Sequence, residues 1–176
     1  MRKSHPRDAL LAFARLLTGA LMGLIALADV GVSIALGLVL TGTRVDILAD
    51  SPAAGMADSY LAVVAILALL IMLFGLGIIF MRELYRIVGS VEQGDPFQPF
   101  NADRLRRMGW IIIVGQLVLF AIAGISASGG DRVRPGFDGE ALLSGLGAML
   151  MALILFILAR VFRVGANMRG ELDGTV

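Results

Sequence analysis

Apolar and polar positions divide this chain into long blocks. Four apolar runs, Leu16–Leu40, Tyr60–Phe80, Gly109–Ser126 and Ala141–Val161, are separated by polar, turn-rich segments. A helix needs about 20 apolar residues to cross a hydrocarbon core of about 30 Å, and all four runs are near that length. The pattern predicts an all-α, four-helix transmembrane bundle of up-down-up-down topology. It occupies residues 1–176 as a single membrane domain with no separate soluble one.

Taken in order, Arg2, Lys3, Arg7 and Arg15 lead into the first run, which carries Asp29 inside it. That run is roughly twice the length of a signal-peptide apolar region, so it is expected to be a retained span. Thr41–Asp58 is the first outer loop. Span two begins at the interfacial Tyr60, and its helix is expected to continue past the membrane through Glu83, Arg86 and Val88 until Gly89, Ser90 and Gly94 end it. The polar bridge, residues 81–108, contains Gly94-Asp95-Pro96-Phe97-Gln98-Pro99-Phe100. Residues before proline favour extended backbone, so this segment reads as a rigid turn presenting Phe97 and Phe100. Asn101 is the expected N-cap of the third helix, with Asp103 in its first turn. Arg104, Arg106 and Arg107 then lie at headgroup level and Trp110 at the interface. The second outer loop is Ala127–Glu140, and residues 162–176 form the tail.

Composition sharpens this picture. Hydrophobic residues make up 58% of the chain and charged residues 16%, far from the balance of a soluble domain. There is no cysteine and a single histidine, His5, which excludes disulfides, thiolate metal sites and paired haem ligands. No cofactor or metal is expected. Of the 15 Lys and Arg, all but Arg44, Arg132 and Arg134 fall on the side shared by the bridge and the two termini. The outer loops instead hold Asp46, Asp50, Asp58, Asp131, Asp138 and Glu140. Under the positive-inside rule the bridge and both termini are cytoplasmic, in a bacterial inner membrane.

An internal repeat is one reading of Tyr85-Arg86-Ile87-Val88-Gly89 after span two and Phe162-Arg163-Val164-Gly165 after span four. The alternative is that any helix leaving a membrane carries an aromatic residue, an arginine and then a glycine stop.

Asp29 is the sole ionisable residue deep in a span, at an insertion cost of about 2.5–3.5 kcal/mol. Thr18, Asp29 and Ser33 share a helical face, and Gln116 lies at comparable depth in span three. One reading makes Asp29 a proton or cation site on a polar seam lined by Ser33 and Gln116. The other makes it a hydrogen-bonded group that fastens span one to span three. The Gly19-xxx-Gly23 pair, and Ser144, Ala148 and Ala152, suit either packing within the bundle or a homo-oligomer. The bridge arginines suit membrane lipids, phosphate or a cytoplasmic partner, whereas direct nucleic-acid binding is not expected because acids interleave them. No nucleophile, phosphate loop or metal motif appears, so no enzymatic activity is expected.

The bridge and the tail also carry a resemblance. Gly94, Pro96, Phe97, Asn101, Arg104, Leu105 and Arg106, with Phe162, Arg163, Gly165, Thr175 and Val176, resemble a bacterial family of four-span integral membrane proteins of unknown function. Genes of that family often neighbour short helix-turn-helix regulators of the Cro type. The resemblance therefore implies a membrane partner or sensor for such a regulator, and it supplies no activity.

Two functions follow as expectations. The first is a regulatory or sensory membrane component acting through Pro96, Phe97, Phe100, Asn101, Arg104, Arg106, Arg107, Phe162 and Arg163 of the bridge and tail. The second is a small oligomeric transporter or channel using Asp29.

Overall fold

The computed structural model describes residues 6–41, 60–92, 98–128 and 139–173. Four helices account for nearly all of them: α1 (Pro6–Leu40), α2 (Tyr60–Glu92), α3 (Pro99–Ser128) and α4 (Gly139–Asp173). Each contains a stretch long and apolar enough to cross a membrane. This is a multi-pass membrane protein.

The helices have 30 to 35 residues, so at 1.5 Å per residue each extends about 45–53 Å, well beyond a hydrocarbon core of about 30 Å. The excess lies largely at one end. Arg15 meets Tyr85 and Glu92, Glu83 meets Arg107, and Asp103 meets Arg163, so all four helices carry charge there. We call it the basic end.

These pairings also establish the topology. Ile25 opposes Gly77 on α1 and α2, Leu73 opposes Gly115 on α2 and α3, and Phe156 opposes Gly109 on α3 and α4. Residue numbers rise on one helix as they fall on its neighbour, so successive helices are antiparallel. α1 packs chiefly on α2, α2 on α3 and α3 on α4, so spatial order follows sequence order.

The densest packing is at the basic end. Leu105, Met108, Leu155 and Ala159 are buried together, with Phe80, Leu84, Ile87, Ile112 and Phe162 against them. Gly109 permits the close approach of α3 and α4, because a Cβ there would fall 2.8 Å from the Phe156 ring. Elsewhere large apolar side chains such as Leu24, Leu27, Leu143 and Met149 face outward. A protein in water would not present so many, whereas in a bilayer these side chains meet acyl chains.

Three sequence expectations change here. Gly89 and Ser90 do not end α2, which continues to Glu92, and Gly165 lies inside α4. A helical glycine costs only about 1 kcal/mol, and tertiary packing overrides it. α3 begins at Pro99, a residue suited to the first helical position because its missing N–H would have no intrahelical partner. The N-cap is therefore not Asn101. The Asn101 N–H already donates to the Gln98 carbonyl at 2.9 Å, which frees its side chain for another helix. Asp103 consequently lies past the first turn of α3.

Candidate functional site

The basic end is built around Glu83. This side chain leaves α2 just beyond its apolar run and is 3% exposed. Arg107 of α3 donates to Glu83 Oε1 at 2.5 Å. Arg104, one turn earlier on α3, brings its Nε to 3.8 Å from Glu83 Oε2, an ion-pair distance beyond hydrogen-bond reach. Glu83 Oε2 is thus buried beside a cation without a hydrogen bond. Positions 104 and 107 are three apart, so both arginines fall on one face of α3, turned toward α2.

Next along the same seam is Asn101, which has no solvent exposure. Its Nδ2 donates to Ser90 Oγ at 2.7 Å, and its Oδ1 accepts from Arg104 at 3.0 Å. The Ser90 hydroxyl donates to the Ile87 carbonyl at 2.7 Å, and Arg104 also reaches the Arg86 carbonyl at 3.3 Å. Arg104 therefore ties together a side-chain amide, a backbone carbonyl and a carboxylate. Buried polar groups linked in this way resist separation, because parting the helices strands several of them at once.

The outer helices join by more exposed contacts. Arg15 of α1 donates to the Tyr85 hydroxyl at 2.7 Å and to Glu92 at 2.8 Å, with its guanidinium 4.9 Å from the Tyr85 ring centroid. Arg163 of α4 donates to Asp103 of α3 at 2.6 Å. Solvent-exposed pairs of this kind are worth about 0–1 kcal/mol each, whereas on the α2–α3 seam Glu83, Ser90 and Asn101 are buried and cannot exchange their partners for water.

The residues expected to form an interaction surface separate into two groups. Asn101 is internal, Arg104 is partly buried, and Arg107 is engaged by Glu83. Phe162 packs against the core, while Phe100, 70% exposed, and Arg106 face outward. Arg163 is exposed and paired with Asp103. Pro96 and Phe97 lie outside the described residues.

The intramembrane group does not assemble. Asp29 lies on the α1 stripe that includes Ile25, which packs at Gly77 of α2. Its Oδ1 is buried and has no hydrogen-bond partner. Ser33 is exposed, and Thr18 returns its hydroxyl to the Ala14 carbonyl of its own helix at 2.7 Å. Gln116 is turned toward α4, with its Nε2 3.7 Å from where a Gly145 Cβ would lie. The expected fastening of span one to span three is corrected accordingly, since α1 packs chiefly on α2. Among the described residues nothing from another helix lies within 4 Å of where a side chain would begin at Gly19 or Gly23, so neither serves close packing between these helices.

Glu83 is the residue that sequence reasoning undervalued. A signal was present: it is the one acid between Arg82 and Arg86 at the end of an apolar run, and the next helix opens with three arginines. Among the described residues no group of His, Cys, Asp or Glu could hold a metal ion. No curated protein and no solved structure matches the chain. The model of one protein family, described as "Protein of unknown function (DUF2975)", matches residues 20–176, and the chain belongs to that family.

Proposed function

We propose that this protein is a regulatory or sensory membrane component, without enzymatic activity, that works through its basic end on the cytoplasmic side of a bacterial inner membrane. The observation that carries this reading is the Glu83–Arg107–Arg104–Asn101–Ser90 seam, in which Glu83, Asn101 and Ser90 are buried. It holds α2 and α3 in fixed register beyond their apolar spans, while the exposed Phe100 and Arg106 face outward beside it. A platform that must report on the membrane helices needs such a rigid join, because displacement in a span is then transmitted to the surface that a partner reads. The positive-inside distribution of charge supports the cytoplasmic placement. The partner class implied by the family resemblance is a short Cro-type helix-turn-helix regulator.

The test is direct binding between the nanodisc-embedded protein and a purified regulator encoded beside it. Binding that weakens at least fivefold on Phe100→Ala supports the reading. Absence of binding, together with Asp29-dependent ion flux in liposomes, overturns it.

One observation favours the second reading, a small oligomeric transporter or channel. Asp29 Oδ1 is buried at mid-span without a hydrogen-bond partner, the condition of a carboxylate able to take up a proton or cation. Four helices packed in sequence order leave little room for a pore, so that activity requires assembly.

A further inference from the structure

Arg106 and Arg107 are neighbours on α3 and serve different seams. Arg107 turns to Glu83 on α2, whereas Arg106 lines a crevice of about 270 Å³ between α3 and α4 with Phe156, Ala159, Arg160 and Arg163. Three arginines thus line one small crevice together with a phenylalanine and an alanine. One of the three, Arg163, is paired with Asp103. Arg106 and Arg160 have neither an ion pair nor a hydrogen bond among the described residues, and both are exposed.

The depth of the crevice is set by the sequence. No charged residue follows Arg107 on α3, and none lies between Glu140 and Arg160 on α4. Arg106 and Arg160 therefore stand where both helices enter their apolar stretches, at headgroup level. One turn deeper, Trp110 and Ile157 are 54% and 55% exposed, and the Trp110 ring meets Phe156 edge-on at 5.8 Å. Cationic groups above and exposed apolar side chains below match a ligand with an anionic head and hydrocarbon tails.

We propose that this α3–α4 crevice binds the phosphate headgroup of an anionic phospholipid through Arg106 and Arg160, with Arg163 adding charge and the acyl chains lying against Trp110 and Ile157. Guanidinium groups suit phosphate because their planar forks donate paired hydrogen bonds. The exposed apolar flank selects a lipid over free phosphate.

Trp110 is the sole tryptophan of the chain, so its fluorescence reports on this place alone. The experiment compares quenching of Trp110 by phosphatidylglycerol and by phosphatidylcholine, each brominated on its acyl chains, in bilayers of equal bromolipid content. Two unpaired arginines, at about fivefold each, give an expected preference of about 25-fold for phosphatidylglycerol. Arg106→Gln/Arg160→Gln should reduce it to about twofold or less. Arg82→Gln/Arg86→Gln, which removes two exposed arginines from α2, should leave most of it. Equal quenching of the wild-type protein by the two lipids overturns the proposal, with no variant needed. Equal loss in both double variants also overturns it, because general surface charge then accounts for the preference. Excess inorganic phosphate abolishing the preference, where chloride of matched ionic strength does not, would assign the crevice to a soluble anion and overturn its assignment to lipid.

Discussion

Asp29 and Glu83 are both carboxylates on largely apolar helices, and both have a buried oxygen without a hydrogen bond. Their settings are otherwise opposite. Asp29 lies near the middle of the apolar run of α1, against the apolar α2, with no cation at its depth in any of the four spans. Glu83 lies just past the apolar run of α2, with Arg107 on one oxygen and Arg104 beside the other. Charge in an apolar helix becomes structural where an opposing helix can supply a partner, and stays a burden where none can. In this molecule that boundary coincides with the point where the helices outrun the bilayer.

Substitutions that separate the two settings should differ in sign as well as size. The largest effect is expected from Arg104→Gln/Arg107→Gln, which strands the Glu83 carboxylate. Leaving a buried charge unpaired costs about 3–5 kcal/mol, measured as the loss of unfolding free energy in mixed SDS micelles. Gly109→Ala comes next, at about 1–3 kcal/mol, because the added methyl meets the Phe156 ring within the core of the basic end. Gly23→Ala, on the open face of α1, should stay within about 0.5 kcal/mol of wild type, and a large loss there would place a second copy of the chain on that face. Asn101→Ala should cost about 1–2 kcal/mol by leaving Ser90 and Arg104 short of a partner. Asp29→Asn should change stability by less than about 1 kcal/mol, and Asp29→Leu should be neutral or stabilising. Destabilisation by Asp29→Leu comparable to that of the arginine pair would abolish the contrast.

Much of this architecture was legible in the primary structure, for reasons that also mark where legibility ends. Run lengths near 20 residues announce four spans, because the bilayer imposes a thickness that any sequence must meet. The arginines announce a basic end by the same logic. Pairing across helices is set instead by antiparallel register, which a linear pattern does not display. Glu83 with Arg107, and Ser90 with Asn101, become neighbours only once the two ends of the bridge fold back. Asn101 is instructive, since its capping preference is a local property and its actual use is tertiary. Gly89 and Gly165 teach the same lesson, because their weak helix propensity yields to the packing of helices that extend beyond the membrane. For Asp29 the depth was readable and its surroundings were not. The choice between α2 and α3 as its neighbour depends on helix order in space.

The rigid join between α2 and α3 is tested most directly by a double-mutant cycle on Glu83 and Arg107, using Glu83→Gln, Arg107→Gln and the double variant in equilibrium unfolding. A coupling of about 1–3 kcal/mol is expected, with the double variant more stable than the sum of the single losses allows. Additivity to within about 0.3 kcal/mol would mean that the two side chains do not act on each other, and the basic end would then not be held by this pair.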